Sequence, residues 1–220
     1  MNRDELAEVL RAASAITDDR PLVMGSQAIL GSYDEDALPP AATVSMEADV
    51  AFLDDDDRHK ADMVTGAIGE DSNFHQLRGF YAEGIHVETA TLPDGWRDRL
   101  ITWSVPPGAN GPGTVASFLD PHDLVVAKLA AFREKDVRFV TALTRAGLVD
   151  PLIALERLEH TELHPVARQR AAGLLVGLDT PTTAAPEEGA DRLRRSVEIE
   201  KRTPPRPGPD RGRGRDRGPD

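Results

Sequence analysis

Two stretches decide the fold: residues 22–31 read LVMGSQAILG and residues 44–52 read VSMEADVAF. The second stretch alternates apolar and acidic residues, which predicts a strand with Glu47 and Asp49 on one face. Met46, Ala48 and Val50 would then lie on the opposite face. Two neighbouring carboxylates repel each other unless a cation lies between them. The pair therefore indicates a divalent-metal site, and a solvent-facing strand edge is the alternative explanation.

The first stretch adds a site for phosphate. An apolar strand at residues 22–24 leads into Gly25 and Ser26, which begin a short helix. Backbone N–H groups and a hydroxyl at such a turn suit a phosphate group.

Glu88, near the end of an expected strand over residues 85–90, is the candidate third carboxylate. Mg²⁺, or Mn²⁺ in its place, prefers such oxygen ligands. The acidic run at residues 54–57 is interpreted as a loop and helix cap.

Periodicity divides the chain into three parts. Residues 1–115 mix helical and strand patterns, and further strands are expected at residues 45–53 and 101–105. Residues 116–178 carry only a helical pattern and are expected to pack on the first part. Residues 179–220 are rich in Pro, Gly and Arg and are expected to be disordered. The fold class is therefore α/β (α+β), a mixed sheet flanked by helices.

Charge is unevenly distributed along the chain. The formal net charge is −12, but residues 1–180 contain 16 Lys and Arg against 30 Asp and Glu. Residues 192–220 contain 10 basic and 5 acidic residues. The acidic body disfavours nonspecific binding to phosphate chains, whereas the basic end could contact RNA or remain solvated.

The cysteine content and the hydropathy of the chain exclude several kinds of site and a membrane-spanning segment. The chain has no cysteine, so disulfides, thiolate zinc sites and cysteine nucleophiles are excluded. No apolar run approaches the roughly 20 residues that span a bilayer. The acidic N-terminal segment does not have the pattern of a signal peptide. We therefore expect a cytoplasmic protein with no membrane partner.

A further motif lies at residues 119–136, LDPHDLVVAKLAAFREKD. Lys128 and Asp136 are eight residues apart and would share one side of a continuous helix. Together with Gly25-Ser26 and Glu47-x-Asp49, this motif resembles the minimal nucleotidyltransferase fold of the polymerase-beta-like superfamily. The bacterial nucleotidyltransferases related to the AbiEii and MenT toxins are the more similar group. The resemblance covers about residues 20–150.

The resemblance implies a function and its residues. It implies transfer of NMP from an NTP to an acceptor hydroxyl, with RNA such as tRNA as acceptor and a cognate antitoxin as partner. A protein side chain or a small molecule is the alternative acceptor. The implied metal ligands, which are also catalytic, are Glu47, Asp49 and Glu88.

The same resemblance implies which residues meet the nucleotide. Gly25, Ser26, Lys128 and Asp136 would form the nucleotide site, with Lys128 also catalytic. Asp136 would orient Lys128 or another basic residue there rather than bind metal. Alternatively, Lys128 is a surface residue whose stem covers apolar neighbours. Glu47 stands where the family more often has Asp. A catalytically degenerate nucleotidyltransferase that binds a nucleotide or a partner is therefore the alternative function.

Overall fold

The structure is a computed structural model, and it describes residues 1–108 and 111–179. Five strands are present: β1 Leu22–Val23, β2 Glu47–Ala51, β3 Tyr81–Gly84, β4 Ile101–Val105 and β5 Thr114–Phe118. The α-helices are α1 Arg3–Thr17, α2 Pro40–Thr43, α3 His59–Ile68, α4 Asn73–Arg78, α5 Pro121–Ala131, α6 Glu134–Arg145, α7 Pro151–Glu159 and α8 Pro165–Asp179. Short 3₁₀ helices occupy Ser26–Gly31, Glu35–Ala37, Val87–Thr89 and Trp96–Arg99. None of these helices is both long and apolar enough to cross a membrane.

The strands form one mixed sheet in the order β3-β2-β1-β5-β4. β1 runs parallel to β5, and β2 runs parallel to β3. The pairs β1–β2 and β4–β5 are antiparallel. Helices flank this sheet, so the predicted mixed α/β fold is confirmed.

Local sequence signals explain where several helices begin. Asn2 caps α1 in a capping box with Glu5, and α1 buries Leu6, Val9 and Leu10 in the core. The buried Asp55 accepts hydrogen bonds from the N–H groups of Lys60 and Ala61 at 2.8 and 2.9 Å. The acidic run at residues 54–57 therefore caps α3, as predicted.

The predicted strand over residues 85–90 is wrong. β3 covers Tyr81–Gly84, and its ladder with β2 ends where Ile85 N donates to the Val50 carbonyl at 2.8 Å. β2 itself ends at Ala51, so residues beyond Ile85 have no strand to pair with. They turn instead into the 3₁₀ helix Val87–Thr89.

The boundary drawn from the sequence lies within a strand. Residues 1–180 form one compact unit, and the expected boundary between residues 115 and 116 falls inside β5. The helical pattern of the second part corresponds to α5 to α8, which follow the sheet. The prediction of disorder concerns residues that, apart from Asp179 at the end of α8, lie outside the described ones.

The single helix expected to carry Lys128 and Asp136 is two helices. α5 ends at Ala131, and Phe132 follows with a left-handed backbone (φ 51°). The Arg170 guanidinium lies 4.1 Å from the centre of the Phe132 ring. α6 then begins at Glu134. The chain therefore reverses between Lys128 and Asp136 rather than continuing straight.

Candidate functional site

Carboxylates gather on two adjacent strands of the sheet. Glu47 and Asp49 are half-buried on β2, whereas Ala48 and Val50 between and beyond them are buried. This alternation is the one expected from the sequence. In the parallel ladder with β3, Asp49 lies opposite Glu83, and residues paired in this way share a face. Glu47, Asp49 and Glu83 therefore project from the same face of the sheet.

Glu83, and not Glu88, is the third carboxylate of this cluster. The Glu88 side chain is 82% exposed, and its carboxylate lies 3.6 Å from Nδ1 of His86. Glu88 sits on the 3₁₀ helix and not on a strand. The signal that could have identified Glu83 is its position two residues after Tyr81, in a short β-prone run that ends in glycine.

The crowding of negative charge changes how these groups titrate. Burial, and next the charge of Asp49, raise the pKa of Glu47, while Lys135 acts in the opposite direction. Burial and the charge of Asp49 also raise the pKa of Glu83. A divalent cation would relieve this repulsion, and the oxygen ligands present are of the kind that Mg²⁺ prefers.

The donor set fits such an ion in chemical type. Within the described residues, no three acidic or histidine side chains are arranged closely enough to enclose a metal ion by themselves. Mg²⁺ is commonly held by one or two carboxylates together with substrate phosphates. Asp49 and Glu47 are the residues placed to supply those carboxylates, with Glu83 beside them.

Gly25 packs directly against the central carboxylate. Met24 N donates a hydrogen bond to the Asp49 carbonyl at 3.1 Å, which places the turn beside β2. A Cβ built on Gly25 would lie 1.5 Å from Asp49 Oδ2. Only glycine therefore fits while Asp49 keeps its position. The sequence placed Gly25 and Asp49 in one site, and the structure brings them into contact.

Ser26 begins the short helix predicted after the turn, which is a 3₁₀ helix. The next residue, Gln27, is fully buried. Its Nε2 donates to the carbonyl of Ser45, two residues before β2, at 2.9 Å. This bond ties the Gly25-Ser26 turn to the start of the carboxylate strand and fixes the turn relative to Glu47.

A cleft of about 340 Å³ opens beside Asp49. Gly25 and Asp49 line one part of it, and Lys128 and Arg133 line another. Apolar residues of α5 and the segment Thr89–Thr91 supply most of the remaining lining, together with Met24 and Ile85. The cleft thus places one acidic and two basic side chains around a space large enough for a small ligand.

Asp136 holds the two cations of the cleft. Eight residues along a continuous helix span about 12 Å, yet Lys128 Nζ lies 3.7 Å from Asp136 Oδ1. The turn at Phe132 brings the two together. Asp136 is buried and also accepts from Arg133, at 2.7 Å from Nε and 3.2 Å from the backbone N. Asp136 therefore contacts both basic residues, and its role in orienting them stays a prediction.

Lys128 is a buried lysine at the edge of the cleft. Its side chain is 11% exposed, and Nζ lies 5.6 Å from the centre of the Phe139 ring. Burial lowers the pKa of Lys128, and the charges of Asp136 and Asp49 oppose that effect. The alternative of a surface lysine is wrong, because the side chain points into the protein and lines the cleft.

Relatives offer no guide to this cleft. Comparison of the chain with protein-family models, with curated proteins and with solved structures finds no match in any of the three. The function is therefore inferred from the residues of the cleft and from the motifs in the sequence.

Proposed function

We propose that this chain is a Mg²⁺-dependent nucleotidyltransferase, which transfers NMP from an NTP to an acceptor hydroxyl. One observation carries the proposal: a single cleft has Asp49 and Gly25 on one side and Lys128 and Arg133 on another. Metal-binding carboxylates facing cations are the arrangement that a metal-bound triphosphate requires. The order of these residues in the sequence supports the same assignment.

The carboxylates would hold the metal. Asp49 lines the cleft, and Glu47 lies two residues away on the same face of β2. When bound, Mg²⁺ would offset the phosphate charge and favour in-line attack at phosphorus. Glu83, which lies opposite Asp49 in the ladder, would act as the third carboxylate in place of Glu88.

The two cations would hold the phosphates. A free NTP carries about four negative charges, and the carboxylates add more, so the leaving pyrophosphate needs a positive partner. Lys128 is fixed by Asp136 and is largely withdrawn from water. The Arg133 side chain is 57% exposed and can reach a ligand while its backbone remains at the start of α6.

The reaction that we assign is a displacement at the α-phosphorus. The acceptor oxygen forms a bond to that phosphorus, and the bond from the phosphorus to the α–β bridging oxygen breaks. Pyrophosphate leaves with the electron pair, and Lys128 and Arg133 stabilise its charge. The proton of the acceptor hydroxyl passes to a carboxylate beside Asp49; we assign this role to Glu83, which lies opposite Asp49 in the ladder and whose pKa is raised by burial and by the charge of Asp49.

The acceptor and the biological setting rest on the resemblance alone. On that basis we propose RNA, tRNA included, as the acceptor, a toxin-like role with a cognate antitoxin, and a cytoplasmic location. A protein hydroxyl remains the competing acceptor, since the body of the chain is acidic.

Pyrophosphate release tests the proposal. The full chain is incubated with Mg²⁺, each of the four NTPs and either total RNA or a protein extract, and pyrophosphate is measured. We expect release with at least one NTP and its loss in Asp49→Asn. Asp56→Asn removes the same charge from an exposed residue outside the cleft and should behave as wild type.

A nucleotide-binding assay separates the two candidate functions. NTP binding that needs Lys128, with no pyrophosphate released under any condition, would establish the degenerate binding module instead. Absence of both binding and release would contradict both functions.

A further inference from the structure

A second cavity, of about 410 Å³, lies next to α7. Its lining includes two arginines, Arg99 and Arg157, and also His160 and Ile153. Two acids, Asp94 and Glu156, lie at the same cavity and are both exposed. The proposed transfer reaction uses none of these residues.

Buried carboxylates fix both arginines from behind. Asp123 is fully buried, and its two oxygens accept hydrogen bonds from Arg99 Nε at 2.9 Å and Arg99 Nη2 at 3.0 Å. Arg157 Nη1 lies 2.9 Å from the same carboxylate and also donates to Asp120. Arg99 Nη2 donates in addition to the carbonyl of Asp94 at 2.9 Å. The two guanidinium groups are therefore held in fixed orientations.

Each arginine keeps donors that these carboxylates do not use. In the part of the chain that the structure describes, Arg157 donates only through Nη1, and Arg99 only through Nε and Nη2. Nε and Nη2 of Arg157 and Nη1 of Arg99 are left for a ligand. Guanidinium groups fixed in this way recognise the oxygens of phosphate, because little conformational entropy is lost on binding.

The charges of the cavity are arranged in layers. Asp120 and Asp123 lie behind the arginines, so the groups held rigidly at the cavity wall are N–H donors. Asp94 and Glu156 are exposed, and water screens exposed charges on mobile side chains. The cavity therefore offers a ligand rigidly held N–H donors, whereas its two acidic side chains are screened by water.

We propose that this cavity is a binding site for a phosphate group. The phosphate oxygens accept from Arg99 and Arg157, and His160 lies at the same wall. The phosphate can belong to a free phosphorylated small molecule or to the backbone of a nucleotide chain. The assignment does not depend on the proposed transferase activity.

The fold connects this site with the cleft at Asp49. α5 carries Asp123, which fixes the arginines, and Lys128, which lines the first cleft. The segment from Thr89 to Asp94 contributes to both cavities, with Thr89 and Thr91 in the first and Asp94 in the second. A phosphate bound between the arginines would thus lie against the elements that shape the first cleft.

Direct removal of an arginine would take a charged partner from the buried Asp123, or from both Asp120 and Asp123, and would destabilise the fold. The test therefore fills the cavity instead. Ile153 lines the cavity and is 38% exposed, so Ile153→Trp adds bulk there without breaking an ion pair. Leu152→Trp is the matched control, because Leu152 is exposed on the same helix and does not line the cavity.

The readout is the Nε–H NMR signals of the arginines in the full chain, titrated with inorganic phosphate and, separately, with a short RNA oligonucleotide. We expect the Arg157 signal to shift in wild type, in Leu152→Trp and in Lys128→Ala. The affinity should fall about tenfold or more in Ile153→Trp, since the ligand loses its space. If phosphate still shifts the Arg157 signal in Lys128→Ala, the phosphate is bound at this site and not in the first cleft.

A second pair of variants tests whether negative charge at the cavity weakens phosphate binding. Glu156→Gln removes a negative charge from the cavity and should strengthen phosphate binding about twofold to fivefold. Glu159→Gln on the same helix, outside the cavity, should leave it unchanged.

The two ligands distinguish the sources of phosphate. Binding of inorganic phosphate that is lost in Ile153→Trp supports a site for a free phosphorylated molecule. Binding of the oligonucleotide alone, lost in the same variant, supports a site for a backbone phosphate. If neither ligand shifts the Arg157 signal, or if Ile153→Trp binds as well as Leu152→Trp, the proposal is overturned.

Discussion

Replacing Gly25 by alanine should disable the cleft through one displaced carboxylate. The added Cβ would lie 1.5 Å from Asp49 Oδ2 and 2.4 Å from its Cγ. Ordinary contacts begin near 3.4 Å, so the carboxylate must move by about 2 Å to relieve the overlap. The backbone of Gly25 has a negative φ of −82° and adds no strain of its own.

The size of the effect follows from that displacement. A misplacement of about 1 Å at a reacting centre can cost about a hundredfold in rate. We therefore expect kcat/KM for pyrophosphate release to fall at least about a hundredfold in Gly25→Ala, or about 2.7 kcal/mol of transition-state stabilisation. The Cβ of Asp49 is also too close, at 2.8 Å, so overpacking should destabilise the fold by about 1–3 kcal/mol.

Two glycines provide controls. Gly31→Ala would place a Cβ 2.4 Å from Cγ of the Phe118 ring, so it should destabilise the fold similarly while leaving the carboxylates in place. A Cβ on Gly66 would have no atom within 4 Å, so Gly66→Ala should lower neither the rate nor the stability. Rates are normalised to the folded fraction, which is measured by urea denaturation. A Gly25→Ala protein with wild-type rate and wild-type stability would refute the contact and the role given to Asp49.

Three further perturbations probe the site and the fold. Lys128→Ala should slow transfer about a hundredfold or more and weaken NTP binding, while the exposed Arg138→Ala should do neither, as steady-state kinetics will show. Burial and the charge of Asp49 raise the pKa of Glu83, so the Glu83 carboxyl group binds its proton more tightly in the folded protein than in the unfolded chain. Proton binding by Glu83 therefore stabilises the fold at low pH, and this contribution is lost as the pH rises through the raised pKa. The free energy of unfolding of Glu83→Gln should therefore rise relative to that of wild type from about pH 4.5 towards neutral pH. Urea denaturation in which this difference does not increase with pH would contradict the prediction. Asp55→Ala should cost about 1–3 kcal/mol, because one buried and one partly buried N–H group lose their acceptor; calorimetry should show no such loss for the exposed Asp56→Ala.

The sequence was sufficient where short-range periodicity controls the structure. Alternation placed Glu47 and Asp49 on one strand face, and the Gly25-Ser26 turn lies against them as expected. The motif at Lys128 and Asp136 also marked a real contact. In each case the spacing along one element, or one motif, carried the information.

Prediction from the sequence failed where contacts with a neighbouring element determine the local structure. Residues 85–90 alternate like a strand, but β2 ends at Ala51 and offers them no partner, so Glu88 is exposed and Glu83 takes its place. The helix over residues 121–136 has no proline or glycine inside it to mark the break at Phe132. The packing of Arg170 on Phe132, which accompanies that break, joins residues far apart in the chain.

The fate of the α-phosphate distinguishes nucleotidyl transfer from other reactions of an NTP. The full chain is incubated with Mg²⁺, RNA or protein acceptors, and NTP labelled at either the α- or the γ-phosphate. We predict that the α-label, and not the γ-label, becomes covalently attached to an acceptor, that Asp49→Asn abolishes this attachment and that Lys128→Ala slows it about a hundredfold or more. Attachment of the γ-label, or α-labelling that is unaffected by both substitutions, would contradict this prediction.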